Sequence, residues 1–265
     1  MRCRSFAQRA GAPLAAALAV FLTAPAAGAQ WRAPAYDAYA EAPLQPGPGL
    51  AAQAGVQVLS RDLRRGAPTM LVGSPDVAPR PAGPWRAEAR AADLLEALAP
   101  TYGLGPAALT SARVRLARET LGGAQLVVFE QRAHGLPVHG ARLTMLLGAG
   151  GDLVGAGGAL HAAVPDEAPA FALSEREAIA HALADQLGGG VVRGAVAPGT
   201  QRPDGYRDFA LAPAGVAAGY ALDGPVRSRP VLYPLPQRMV PAYYVELWLL
   251  DGQGSSELVA TVVSA

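Results

Sequence analysis

Along the chain the spacing of apolar positions switches between the helical and the extended period, and each switch marks an expected element. In WRAEARAADLLEALAPTYGL the residues Ala87, Ala91, Leu94, Leu95 and Leu98 fall on one face of a helix. Pro100 disfavours continuation through Ala99, and Gly103 supplies a stop. After a short turn at GPAALTS, Val114 and Leu116 alternate with Arg113, Arg115 and Arg118, the pattern of a strand with one wet face. Leu126 to Ala133 reads as a second strand. A third follows, in which Ala141, Leu143, Met145 and Leu147 point one way and Arg142 and Thr144 the other. Between them HGLPVH, with Gly135 and Pro137, suits a bent link. GAGGD at 148–152 then reverses the chain into a strand ending near Leu160.

The order repeats further on. LSEREAIAHALADQLGGG starts with Ser174 and places Glu177 three residues later, a capping box. Ile179, Ala182, Leu183 and Leu187 form its apolar stripe, and Gly188 stops it. The segment from 188 to 230 is rich in glycine and proline and reads as loop with at most one poor strand. AYYVELWLL, the turn DGQG and ELVATVV then predict a hairpin that runs almost to Ala265, as in a module truncated at its C-terminus. The resulting expectation is an α+β fold of two small helix-on-antiparallel-sheet modules, at 85–165 and 172–265.

Upstream, the pattern dissolves. Residues 30–84 form an arm rich in Pro, Ala and Gly, with PLQPGPG and PDVAPRPAGP unable to continue helices or central strands. Short apolar runs at Val56–Leu59 and Met70–Val72 leave room for an edge strand. Residues 1–29 combine a basic start, an apolar run from about Ala12 to Ala24, and Ala27-Gly28-Ala29, the three-part pattern of a secretory signal peptide. The run is shorter than the roughly 20 apolar residues a membrane span requires. Secretion, extracellular or periplasmic, is the implied destination, with no membrane partner after cleavage.

Composition adds two constraints. All 22 basic side chains are arginine, and the formal charge of +1 becomes −2 once Arg2, Arg4 and Arg9 leave with the signal, so no surface for nucleic acid is implied. Cys3 is the only cysteine, and a mature chain without it has neither disulfides nor thiol chemistry.

Candidate catalytic sets are scarce. The four histidines, His134, His139, His161 and His181, belong to no H-E-x-x-H helix. His134 and His139 stand five apart across the expected link, which could bring them together, and they read more simply as polar turn residues. His181 lies beside the stripe of the second helix. No G-x-S-x-G elbow is present, and the glycines of GAGGDLVGAGG join two strands rather than opening a helix that could hold phosphate. No catalytic, cofactor-binding or metal residue is assigned.

One stretch carries a resemblance. FEQRAHGLPVHGARLTMLLGAGGDLVGAGGAL is similar to the fungalysin/thermolysin propeptide (FTP) module, through Phe129, Gln131, Gly135, Leu136, Pro137, Val138, Gly140 and Asp152 to Val154. His139 departs from it, standing where members often carry an aromatic. RDLRRGAPTMLVG and LLEALAPTYGLGPAAL resemble the upstream prosegment of bacterial fungalysin-type zinc metalloproteases. LSEREAIAHALADQLG with the final hairpin resembles the adjoining PepSY-type module, without its closing D-A-x-T-G turn. The resemblance implies a prosegment that assists the folding of a fungalysin/thermolysin-like metalloprotease domain and covers its cleft, in cis or in trans. It also implies no cofactor in this chain, the zinc belonging to the protease domain. The alternatives are a free-standing secreted inhibitor or binding module, and an enzyme built around His134 and His139.

Overall fold

The computed structural model describes residues 55–62, 65–73, 77, 81–187, 196–197, 199–211, 221–235, 237–250 and 254–265. The expected signal peptide, most of the N-terminal arm and the first part of the 188–230 segment lie outside these residues. The first half contains β1 (Val56–Arg61), β2 (Pro68–Gly73), α1 (Ala87–Tyr102), α2 (Pro106–Ser111), β3 (Ala112–Glu119), β4 (Gln125–Ala133), β5 (Leu136–Leu147) and β6 (Leu153–Ala159). The second contains α3 (Glu175–Leu187), β7 (Thr200–Gln201), β8 (Arg207–Phe209), β9 (Ala221–Leu222), β10 (Val226–Pro234), β11 (Met239–Leu250) and β12 (Ser256–Ser264).

The expectation of an α+β fold made of two helix-on-sheet modules is overturned. The described chain is mostly β, with three α-helices and one mixed sheet of twelve strands in the order β1-β2-β6-β5-β10-β11-β12, with β3 and β4 branching from β5. Two pairings make the sheet continuous. β2 adds antiparallel to β6, and β10 lies parallel to β5 through Leu232 and Val138. β5 is long enough for both, because β4 takes one of its edges from Leu136 to Leu147 while β6 and β10 divide the other. β10 starts inside the segment read as loop. Its two prolines, Pro230 and Pro234, hide a strand in which Val226, Ser228 and Leu232 are buried.

Helix α1 runs three residues past Ala99, since Pro100 sits in the last turn, where one lost N–H bond is tolerated. Gly103 at φ 67° closes it, with Leu104 N–H donating to Ala99 O (2.8 Å). GPAALTS forms α2 rather than a turn. The capping box of α3 is formed: Glu177 Oε2 accepts from Ser174 N–H (2.8 Å), and Glu177 N–H donates to Ser174 Oγ (3.3 Å). Strand β3 has no dry face, because a bulge separates Val114 from Leu116 and both are exposed.

All the long helices lie on one face of the sheet. Leu94, Leu95, Leu98 and Tyr102 of α1 pack on Val127, Phe129, Leu143, Met145 and Leu147. Ile179, Ala182 and Leu183 of α3 pack on Val226, Val245, Leu247 and Leu249. Leu232, which shares the face of Val226 by strand alternation, joins Ala133, Val138, Ala141 and Met239 in a bridging cluster. The opposite face carries no described helix, and the site discussed next stands on it.

Candidate functional site

The stretch singled out by its resemblance is a tight hairpin. His134 and Gly135 have φ of 50° and 81°, the two-residue turn that matches strand twist, so the expected bent link is a strand with Pro137 opposite Arg132. Phe129 and Val138 are core residues. Gln131 is fully buried and works as a clamp. Its Nε2 donates to His161 O (2.7 Å) and Ser111 Oγ (3.0 Å), and its Oε1 accepts from His161 N–H (2.7 Å). The clamp ties the β4 strand to the chain leaving β6, whose backbone would otherwise be buried unpaired. At the next turn Gly151, φ 76°, gives its carbonyl to the buried Arg90 Nε of α1 (2.7 Å), and a Cβ there would press on Pro81 and Trp85 at 3.3 Å.

The four histidines are held by different groups. His134 Nε2 bonds Pro165 O (2.8 Å) at the exposed hairpin tip. His181 is exposed on α3. His161 is 2 % exposed, with neither ring nitrogen completing a hydrogen bond among the described residues. Burial pushes its pKa down and Arg65 adds to this, against weaker upward pulls from the Ala163 and Leu235 backbone and Asp62. His139 is no turn residue. It lies half-buried in β5, stacked on Tyr233 (5.7 Å between ring centroids) and tilted against Tyr244 (5.0 Å). Burial and then the charge of Arg229 lower its pKa. The position at which the resemblance places an aromatic is thus part of an aromatic cluster.

That cluster occupies the helix-free face of β10 and β11. Arg229 and Tyr244 are cross-strand partners. The Arg229 guanidinium carbon lies 4.6 Å from the ring centre of Tyr206, at the end of the β7–β8 turn, and 5.5 Å from that of Tyr244. Tyr206 donates to Glu246 Oε1 (3.0 Å), and burial pushes its hydroxyl pKa up to about 12. Glu246 also faces Arg227 (4.0 Å), which reaches Asp208 (3.7 Å). One register step further, Trp248 and Leu258 stand opposite each other, 41 % and 47 % exposed. Tyrosine, tryptophan and arginine gathered on an open face are the residue types that dominate recognition surfaces. Sequence reasoning missed this cluster, because it draws on positions 139, 206, 229, 233 and 244.

Near the start of α1 an open depression of about 610 Å³ mixes Arg86 and Arg118 with Glu88 and Glu119. Among the described residues no three His, Cys, Asp or Glu side chains gather as metal ligands, and no helix is long and apolar enough to cross a membrane. No protein-family model matches the chain, and no curated protein matches it in sequence.

Proposed function

We propose that the chain is a secreted recognition scaffold that acts as the prosegment of a fungalysin-type zinc metalloendopeptidase. It binds the folded protease domain, in cis or in trans, assists its folding and blocks its cleft. The catalytic steps and the zinc belong to that domain, and this chain contributes binding only. The observation carrying this reading is the structural use of the resembling motif. Phe129 and Val138 serve the core, Gln131 the clamp, and Gly135 and Pro137 the hairpin, as expected of a motif that supplies shape rather than chemistry. Binding the folded protease in preference to its unfolded chain stabilises the former by linkage, which needs no reacting group.

The test is inhibition and assisted refolding. The full chain is titrated into an active fungalysin-type endopeptidase, and in parallel added to the denatured mature enzyme during refolding. Inhibition with a Kd of about 1 μM or tighter, together with a higher refolded yield, is the expected result. Neither effect at tenfold excess would remove the prosegment reading.

A further inference from the structure

Arg229 is in an unusual position for a cation. Its guanidinium packs against the Tyr206 and Tyr244 rings, which meet edge-on, its Nε is buried with no acceptor among the described residues, and no described carboxylate forms an ion pair with it. Glu246, on the same face, is already engaged by Tyr206 and Arg227. A cation without an anionic partner in a partly dry setting is costly, and a carboxylate reaching the half-buried side chain would relieve that cost with a strong, geometrically selective bond. Contact with both rings also restrains the planar fork in advance, so less side-chain freedom is lost when an anion arrives.

The surroundings narrow what the anion can be. Tyr206 and Tyr244 lie against the cation, His139 and Tyr233 extend the aromatic surface beside Tyr244, and burial with the charge of Arg229 lowers the pKa of His139, so Arg229 supplies the charge among these rings. A dianion would meet one charge, with Glu246 close by to repel the second. One carboxylate fits. Further along β11, Trp248, four residues and about 13 Å from Tyr244 at the rise of a strand, offers an apolar contact with Leu258 opposite it on β12. The spacing suits a folded protein surface presenting an acidic side chain beside an apolar one.

We propose that Arg229, framed by Tyr206 and Tyr244, is a carboxylate-binding site on the helix-free face, and that it seats an aspartate or glutamate side chain of the partner protein. The identity of the partner as the protease domain rests on the reading given above; the carboxylate site stands on its own geometry.

The experiment uses the full chain with two readouts. Arginine Nε–H resonances are recorded while acetyl-Ala-Asp-Ala-amide is added, with acetyl-Ala-Asn-Ala-amide as the uncharged control, the Arg229 signal being assigned by its loss in Arg229→Ala. Inhibition of the fungalysin-type endopeptidase is measured for wild type, Arg229→Ala, Arg229→Lys and Arg176→Ala on the exposed side of α3, all checked for an unchanged unfolding midpoint. The Arg229 signal is expected to move with the Asp peptide and not with the Asn one. Inhibition is expected to weaken at least tenfold in Arg229→Ala, partly in Arg229→Lys, and not in Arg176→Ala. If the signal moves but wild type fails to inhibit, the carboxylate site survives and the protease reading falls. If wild type inhibits while the signal stays still, the carboxylate proposal is overturned, whatever Arg229→Ala does to inhibition. A still signal without inhibition overturns both.

Discussion

The two halves of the sheet differ in what they place on opposite faces. In the first half the face under α1 is aliphatic through Leu143, Met145 and Leu147, and the other face mixes exposed Met70, Val72 and Leu116 with the Arg115–Glu130–Arg142 ion pairs. In the second half the face under α3 is aliphatic as well, through Val226, Val245 and Leu247. Its other face carries Arg227, Arg229, Tyr233, Tyr244 and Glu246 on adjoining strands. Apolar burial is non-directional and secures the fold. Stacked rings and charged forks have preferred geometries, so they select partners more than they add stability. The contrast separates a face that builds the scaffold from one suited to recognition.

The largest effect that could break this comparison is loss of core volume under the helices. Leu98→Ala in α1 and Leu183→Ala in α3 each remove a fully buried side chain, at an expected cost of about 3 kcal/mol. Because the sheet is continuous through β5 and β10, either change should lower one shared urea midpoint, followed by Trp85 in one half and Trp248 in the other. Two separate transitions would restore independent halves.

Next in size is the clamp. Gln131→Ala leaves the backbone N–H and C=O of His161 buried and unpaired, and should cost about 2–4 kcal/mol in denaturant unfolding. A loss under 1 kcal/mol would mean that the link between β4 and the chain after β6 is not structural.

A smaller, pH-dependent effect comes from His161. Its folded pKa lies below the ordinary 6.5, so below pH 6.5 the unfolded chain takes up a proton that the folded chain refuses. Stability is therefore full above that value and declines as pH falls, until the folded pKa is reached. Arg65 and Asp62 are the charged groups facing it. The urea midpoint should drop between pH 7 and pH 5, with a shallower slope in His161→Leu; identical slopes would remove His161 from the account. His139, shifted the same way, leaves a residual slope.

Smallest is the effect of Trp248→Ser on the helix-free face, expected within about 0.5 kcal/mol of wild-type stability. A loss above 2 kcal/mol would make that face part of the core and blur the contrast between the two faces.

What the sequence revealed follows the range of each interaction. The stripe of α1, the Ser174–Glu177 box and the alternation of β4, β5, β11 and β12 depend on neighbours a few residues away, and they were legible. β10 was not, because prolines and arginines masked its period, although Val226, Ser228 and Arg227, Arg229 do alternate. Missing it meant missing the join at Val138, and with it the single sheet. The aromatic cluster needed that join as well, since only β10 beside β5 brings His139 to Tyr233. The departure at His139 was the one local clue to it.

Oxidative footprinting of the full chain, free and mixed with a fungalysin-type endopeptidase, tests the division of faces most directly. Complex formation is expected to protect Tyr206, Tyr244 and Trp248 while His181 on α3 stays as reactive as in the free chain. Protection of His181 with those three unchanged, or an identical pattern in both samples, would contradict it.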